Sequence, residues 1–142
     1  MKFSQDDRRP LLAIDPGLRY IGIAVSDAEQ KHAFPKDVLQ AEPQHKFWQQ
    51  LAELIREHKV STVLVGHPRS LKGKDLPMTK VAEKMAEEIK ERFEVTVELV
   101  DERMSSVAAQ KTLLQHYKSD QRVDAAAAAL LLESYLAGRA HG

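Results

Sequence analysis
The sequence predicts an α/β domain: a five-stranded mixed sheet, three antiparallel strands followed by two crossover units, flanked by helices. Three observations predict it. Apolar or β-branched runs at residues 11–14, 21–27, 32–40, 62–65 and 95–100 have strand length, with period two or continuous apolar character. The first three follow one another across short turns, whereas each of the last two is preceded by a stretch with helical spacing. A length of 142 residues, 43% of them hydrophobic and 30% charged, fits one globular domain and not a disordered chain. Residues 1–142 are therefore expected to form a single domain, with 1–9 a flexible leading segment.

Each element has its own signature. Leu11, Leu12, Ala13 and Ile14 make a buried strand that runs into Asp15-Pro16-Gly17. Over 21–27, bulky Ile21, Ile23 and Val25 alternate with Gly22, Ala24 and Ser26, giving a strand with one large face and one small face. Pro35 places the third strand, 32–40, at an edge or an end. The period then changes. Phe47, Leu51, Leu54, Ile55 and His58 share one face of a helix over 44–58, and Phe47 with Trp48 reads as core. Thr62-Val63-Leu64-Val65 is a buried strand closed by Gly66-His67-Pro68, and 69–78, with Gly73 and Pro77, is a loop. Thr79 begins a helix with Val81, Met85, Ile89 and Phe93 inward, and 95–100 is the fifth strand. Ser105 or Ser106 caps a third helix to about Tyr117, and a polar turn over 118–121 leads to a last helix, 123–137, stopped by Gly138. That helix is apolar nearly all round, so it is expected to be buried against the sheet.

Composition excludes several functions. With no cysteine there are no disulfides and no thiolate metal sites. The longest apolar run, Ala125 to Leu132, is far short of the roughly 20 residues a membrane helix needs. The first ten residues mix acids and bases without an apolar core, unlike a secretory signal, so a cytoplasmic protein is expected. Twenty-one bases against twenty-one acids cancel, so any binding of nucleic acid must rest on local patches.

Three carboxylates stand where elements end. Asp15 closes the first strand, Glu102 follows the fifth, and Asp124 opens the last helix, each in or beside apolar sequence. A buried acid is costly unless it is paired or binds a metal. Three acids from distant segments meeting at one sheet edge would form an oxygen-rich site for Mg²⁺ or Mn²⁺, the ions that assist phosphodiester hydrolysis. Spacing alone leaves plainer readings open. Asp15 suits a turn before Pro16-Gly17, Asp124 a helix start, and Glu102 an ion pair with Arg103 or a helix cap.

The segment Asp15-Pro16-Gly17-Leu18-Arg19-Tyr20-Ile21-Gly22-Ile23-Ala24-Val25-Ser26-Asp27 resembles the opening motif of the YqgF/RuvX family, described as pre-16S ribosomal RNA nucleases or Holliday-junction resolvases. Val100-Asp101-Glu102-Arg103-Met104-Ser105-Ser106 resembles its second motif, and Arg122-Val123-Asp124-Ala125 with the run to Leu136 its third. The resemblance implies a ribonuclease-H-like fold, with Asp15, Glu102 and Asp124 as catalytic ligands of two Mg²⁺ or Mn²⁺ ions. It also implies a nuclease that processes the 5′ end of pre-16S ribosomal RNA, in contact with precursor RNA or the small-subunit precursor. Two departures stand out: Tyr20 occupies the second of two places that are usually basic, leaving Arg19, and Gly66-His67-Pro68 with the loop after it replaces a Gly-Leu-Pro segment.

Candidate nucleic-acid contacts are Arg19, the loop bases Arg69, Lys72 and Lys74, and Arg103 and Arg122 beside two of the acids. Residues 69–74 carry three bases and no acid, and Gly73 lets the backbone approach a phosphate. A mobile basic surface loop is the plainer alternative. His67 reads as a structural turn residue, with help to chemistry beside the site as the alternative, and Asp27 reads as a strand-end acid and Asp101 as a motif neighbour, neither of them a metal ligand. Other functions stay in view: a resolvase of branched DNA, which needs a homodimer where a ribonuclease can be a monomer; a non-catalytic RNA-binding ribosome-assembly factor; and a kinase-like nucleotide binder, for which one domain is too small.

Overall fold
A computed structural model of the chain describes residues 9–70, 72–102 and 121–141, with the side chains of the last helix described from 124 to 139. The elements are β1 (Leu11–Asp15), β2 (Tyr20–Ser26), β3 (Ala33–Gln40), α1 (Gln44–Glu57), β4 (Thr62–His67), α2 (Pro77–Arg92), β5 (Thr96–Asp101) and α3 (Gln121–His141). The leading segment before Arg9, the expected helix from Ser105 or Ser106 to Tyr117 and the turn at 118–120 lie outside the described residues. The strands form one sheet in the order β3-β2-β1-β4-β5. β1 pairs antiparallel with β2 and β2 with β3, while β1–β4 and β4–β5 are parallel, so the expected mixed sheet is present. β3 is an edge strand, and Pro35 sits beside a register shift opposite Ile23/Ala24, where a missing N–H costs no ladder bond.

The two faces of β2 are buried under different helices. Its bulky residues Ile21, Ile23 and Val25 join Leu12, Ile14, Val63 and Val65 beneath α1 and α2, whose inward residues include Phe47, Leu51, Ala86 and Ile89. On the reverse face Ala13, Ala24, Leu11 and Leu64 pack against Ala127, Ala128, Leu131 and Leu132 of α3. Leu131 and Leu132 are fully buried, each contributing on the order of 2 kcal/mol by the area removed from water. Alanines on both sides let helix and sheet approach closely.

Three helix ends differ from expectation, one of them the start of α3 at Gln121, two residues before the predicted Val123 and inside the predicted turn. α2 begins at Pro77, two residues before the predicted start at Thr79, because proline's fixed φ and missing N–H suit a first helical turn. The Thr79 hydroxyl, fully buried, accepts from the Leu76 N–H at 2.7 Å and donates to the Pro68 carbonyl, tying the preceding loop to the helix. α3 runs past Gly138 to His141 instead of stopping at residue 137. Gly138 is not in the left-handed conformation that ends helices, so it costs only about 1 kcal/mol as an interior glycine. Beyond it Arg139 donates to Gln30 Oε1 at 2.6 Å and lies over the Tyr135 ring. Among the described residues no helix is long and apolar enough to cross a membrane.

Candidate active site
β1, β4 and β5 run parallel, so their carboxyl ends lie along one edge of the sheet, and the β1–β2 turn emerges there too. Asp15 is the last residue of β1 and 2% exposed; Glu102 follows β5 and is 5% exposed. Alternation along β1 puts Asp15 on the face of Ala13, beneath α3. Its antiparallel partner is Gly22. On the other side, one residue beyond the Ile14–Val65 pair, stands Gly66. Asp15 is therefore flanked by a glycine on each neighbouring strand.

Both glycines make room for another acid. A Cβ on Gly22 would lie 2.0 Å from the Asp124 carbonyl oxygen, so the absence of a side chain lets the first turn of α3 rest directly on β2. A Cβ on Gly66 would lie 2.6 Å from Glu102 Oε1, so this carboxylate occupies the space a side chain would take. Main-chain proximity at Gly22 and side-chain proximity at Gly66 thus bring Asp124 and Glu102 to the two sides of Asp15. Gly22 carried a sequence signal, a glycine inside a strand pattern, which marks close approach of another segment, whereas Gly66 reads from sequence only as a strand end.

The donor set is three carboxylates, hard oxygen ligands suited to Mg²⁺ or Mn²⁺. Among the described residues no three His, Cys, Asp or Glu side chains stand grouped closely enough to hold an ion as they are placed. The chemistry of the donors and their arrival at one edge fit a divalent cation.

The loop after β4 rises from the same edge. Ser70 N–H donates to the Lys74 carbonyl at 3.0 Å, Gly73 N–H to the Ser70 carbonyl at 2.8 Å, and Gly73 takes a left-handed φ of 80°. This tight loop presents Lys72 and Lys74 to solvent. Arg69 is held differently, in a bridge to Asp75 with Nη2 3.4 Å from Oδ1. Asp75 lies one residue beyond the acid-free stretch, so the loop's unopposed bases are Lys72 and Lys74. Arg19 lies in the β1–β2 turn with its guanidinium over the Tyr20 ring. Arg103 and the side chain of Arg122 lie outside the described residues.

The neighbouring groups sort themselves by face. His67 shares the face of Val65, where Nε2 lies 2.9 Å from Glu83 Oε2 of α2, away from Asp15. Asp27 lies past the other end of β2, beyond the Leu12–Val25 pair and far from Asp15, where it accepts from the backbone N–H groups of Lys31 at 2.7 Å and His32 at 2.9 Å; the His32 bond leads in holding its carboxyl below the usual range. Trp48 packs edge-on to Phe47 on the α1/α2 side, with Arg92 over its ring. A cleft of about 290 Å³ lined by Leu18, Phe47, Trp48 and Met85 opens on that side, across the sheet from Asp15.

Residues 9–138 match the model of the RuvX family, described as Holliday junction resolvase. The chain belongs to the RuvX family. Its relatives include proteins named "Putative pre-16S rRNA nuclease": one from Chloroflexus aurantiacus, 35% identical over 91% of this chain and 87% of its own, and one from Edwardsiella ictaluri, 38% identical over 89% and 94%. Among solved structures, Thermus thermophilus RuvC aligns with a TM-score of 0.56 at 18% identity, covering 93% of this chain and 96% of that one. The likeness is one of fold, and this RuvX chain has the ribonuclease-H-like architecture that the sequence motifs implied.

Proposed function
We propose that this RuvX protein is a divalent-metal-dependent nuclease that hydrolyses phosphodiester bonds in structured nucleic acid, with the 5′ end of pre-16S ribosomal RNA as its substrate. The observation that carries the reading is the glycine-flanked Asp15, with Glu102 and the start of α3 brought to its two sides. Negative charge gathered at a sheet edge would repel a phosphate backbone, so it is of use to a nucleic-acid protein chiefly as a cation site. Relatives named for pre-16S rRNA support the choice of substrate.

Asp15, Glu102 and Asp124 would hold the divalent cations, with Asp15 between the other two. Divalent ions there supply Lewis-acid stabilisation of phosphoryl charge and acidify water for in-line attack. The protein's own groups do the rest. Buried strand ends fix the Asp15 and Glu102 carboxyls, while Lys72 and Lys74 hold flanking phosphates as mobile point charges. Arg19, Arg69, Arg103 and Arg122 extend that surface along the strand path. The protein works in the cytoplasm on this reading, where precursor ribosomal RNA is found.

The family description favours a second substrate, branched DNA. One panel separates the two: a precursor RNA spanning the 16S 5′ end, single-stranded and duplex RNA, single-stranded DNA and a four-way DNA junction, each with Mg²⁺, Mn²⁺ or EDTA. Wild-type protein is expected to cut the precursor RNA in a metal-dependent way. Asp15→Asn should lose at least about a thousandfold in kcat, some 4 kcal/mol of transition-state stabilisation, without loss of thermal stability. Equal cleavage by Asp15→Asn would overturn the site. Preferential cutting of the junction would transfer the activity to DNA, and tight RNA binding without any cleavage would make the protein an assembly factor.

A further inference from the structure
We propose that the β1–β2 turn and the ends of β2 and β3 form a subsite for one unpaired nucleobase beside Asp15, with Tyr20 as its stacking surface. The proposal rests on the reading of this chain as a nucleic-acid enzyme and adds to it how the substrate strand is held. Leu18, Arg19, Tyr20, Gln40 and Glu42 line a cleft of about 220 Å³. That is below the roughly 300–1,000 Å³ of a drug-sized pocket and suits a single ring system.

Its position follows from register. Tyr20 and Gln40 are direct cross-strand partners, so they share a face of the sheet. Tyr20 alternates with Gly22 and Ala24, and Gly22 is the partner of Asp15. Tyr20 therefore lies on the Asp15 side of the sheet, one strand over and two residues along, a diagonal of about 8 Å. The turn is locked to the third strand by the Ala41 N–H, which donates to the Arg19 carbonyl at 2.9 Å. That bond fixes Arg19 and Tyr20 against Gln40 and Glu42.

With Arg19 opposed by Glu42 and turned over the Tyr20 ring, the lining chemistry favours a base over a phosphate. Tyr20 is half-buried, with the Arg19 guanidinium 5.7 Å from its ring centroid, and Leu18 is 74% exposed, a large apolar group left in water. A planar aromatic base covers such surfaces. The Glu42 carboxylate disfavours a phosphate but accepts from an exocyclic amino group, and the Gln40 amide both donates and accepts. Cytosine or adenine, each with an amino group, should therefore be held better than uracil or thymine. Stacking needs the base out of its duplex, which agrees with single-stranded ends and bulges as targets.

The test is a binding cycle in EDTA, where cleavage does not intervene, read by fluorescence anisotropy. Labelled five-nucleotide strands, as RNA and as DNA, carry cytosine, uracil or an abasic site at the centre. Wild-type protein should lose about ten- to a hundredfold in affinity from cytosine to abasic. Tyr20→Ala should lose a similar factor on the cytosine strand and nothing further on the abasic one, whereas Tyr20→Phe should bind as wild type. Leu18→Ala, at an exposed position, should show a smaller coupled loss, and Glu42→Gln should erase the preference for cytosine over uracil. Additive effects of Tyr20→Ala and the abasic site would overturn the subsite while leaving the nuclease reading intact. No binding of any strand by the wild type would overturn the subsite, and cleavage of the precursor RNA then decides the nuclease reading on its own. The RNA and DNA arms identify which sugar the subsite accepts.

Discussion

On the α1/α2 side of the sheet β1 and β2 present Leu12, Ile14, Ile21, Ile23 and Val25; on the α3 side the middle of the same strands presents Ala13, Asp15, Gly22 and Ala24, with the larger Leu11 and Tyr20 only at the strand starts. The first set fills a deep core and keeps its helices at side-chain distance. The second is nearly flat, and the main chain of α3 comes down onto it at Gly22. Bulk on one face makes the sheet stable enough to tolerate the other. On the flat face a helix-borne carboxylate, a strand-end carboxylate and one from the exit of β5, two strands away, can share an edge. The same contrast explains why His67 and Trp48, on the bulky side, are held by Glu83, Phe47 and Arg92, while Asp15, the Glu102 carboxylate at Gly66 and the start of α3 at Gly22 lie on the small side.

The strongest way to break the contrast is to put bulk on the flat face. Gly22→Val forces the α3 start away from β2, since even a Cβ there meets Asp124 at 2.0 Å. A displacement of about 1 Å at a reacting geometry can cost about a hundredfold, so kcat on the RNA substrate should fall by at least that. Gly66→Ala meets side-chain atoms instead of main chain, Glu102 Oε1 at 2.6 Å and Leu131 Cδ2 at 3.2 Å, and should cost roughly tenfold in kcat by displacing the Glu102 carboxyl, with a smaller loss of stability than Gly22→Val. Ile23→Ala on the other face should show the reverse: about 2–5 kcal/mol less stable in urea, with kcat unchanged while folded. If Gly22→Val keeps full activity, the flat face is not what positions the acids.

Much of this contrast was legible in the sequence, because period two along β2 already separates a large-residue face from a small-residue one. Pro35 similarly marked the edge strand, and the three acids marked the element ends. What stayed hidden depends on partners far along the chain. Gly66 reads as a strand end until Glu102 is placed beside it. Arg69 reads as a free base until the loop folds back and Asp75 meets it. Gly138 reads as a stop signal, yet the helix continues to Arg139, which is held by Gln30, 109 residues away. Local rules see propensity; these outcomes come from tertiary contact.

A smaller effect sharpens the contrast by separating binding from chemistry at the edge itself. Lys72→Ala and Lys74→Ala should each weaken RNA binding about equally for all sequences and lower the slope of log affinity against log salt by about one. Their kcat values should match wild type. Arg69→Ala should change the slope less, because Asp75 already opposes its charge. An equal or larger effect of Arg69 would mean that the ion pair opens on binding.

The smallest expected effect concerns how α3 is clamped at its far end. The Tyr135 hydroxyl donates to Glu98 Oε2 of β5 at 2.6 Å, and burial first, then this bond, pushes the phenol up to about 12 from its ordinary 10. The raised value means that the folded chain keeps a proton the unfolded chain gives up. The contribution to stability is therefore complete below pH 10 and is lost as the pH climbs toward 12. At pH 7 Tyr135→Phe should cost about 0.5–1 kcal/mol, at the low end for a bond to a charged acceptor because Glu98 is exposed. The difference in stability between the two proteins should shrink between pH 10 and 12, since lysine titration is common to both and cancels. Activity at neutral pH should be the same in both, because the clamp lies three helical turns from Asp124 and the alanine contacts hold the first turn in place. A loss of activity in Tyr135→Phe at neutral pH would instead show that the start of α3 is set from its far end, and not by its seat on Gly22.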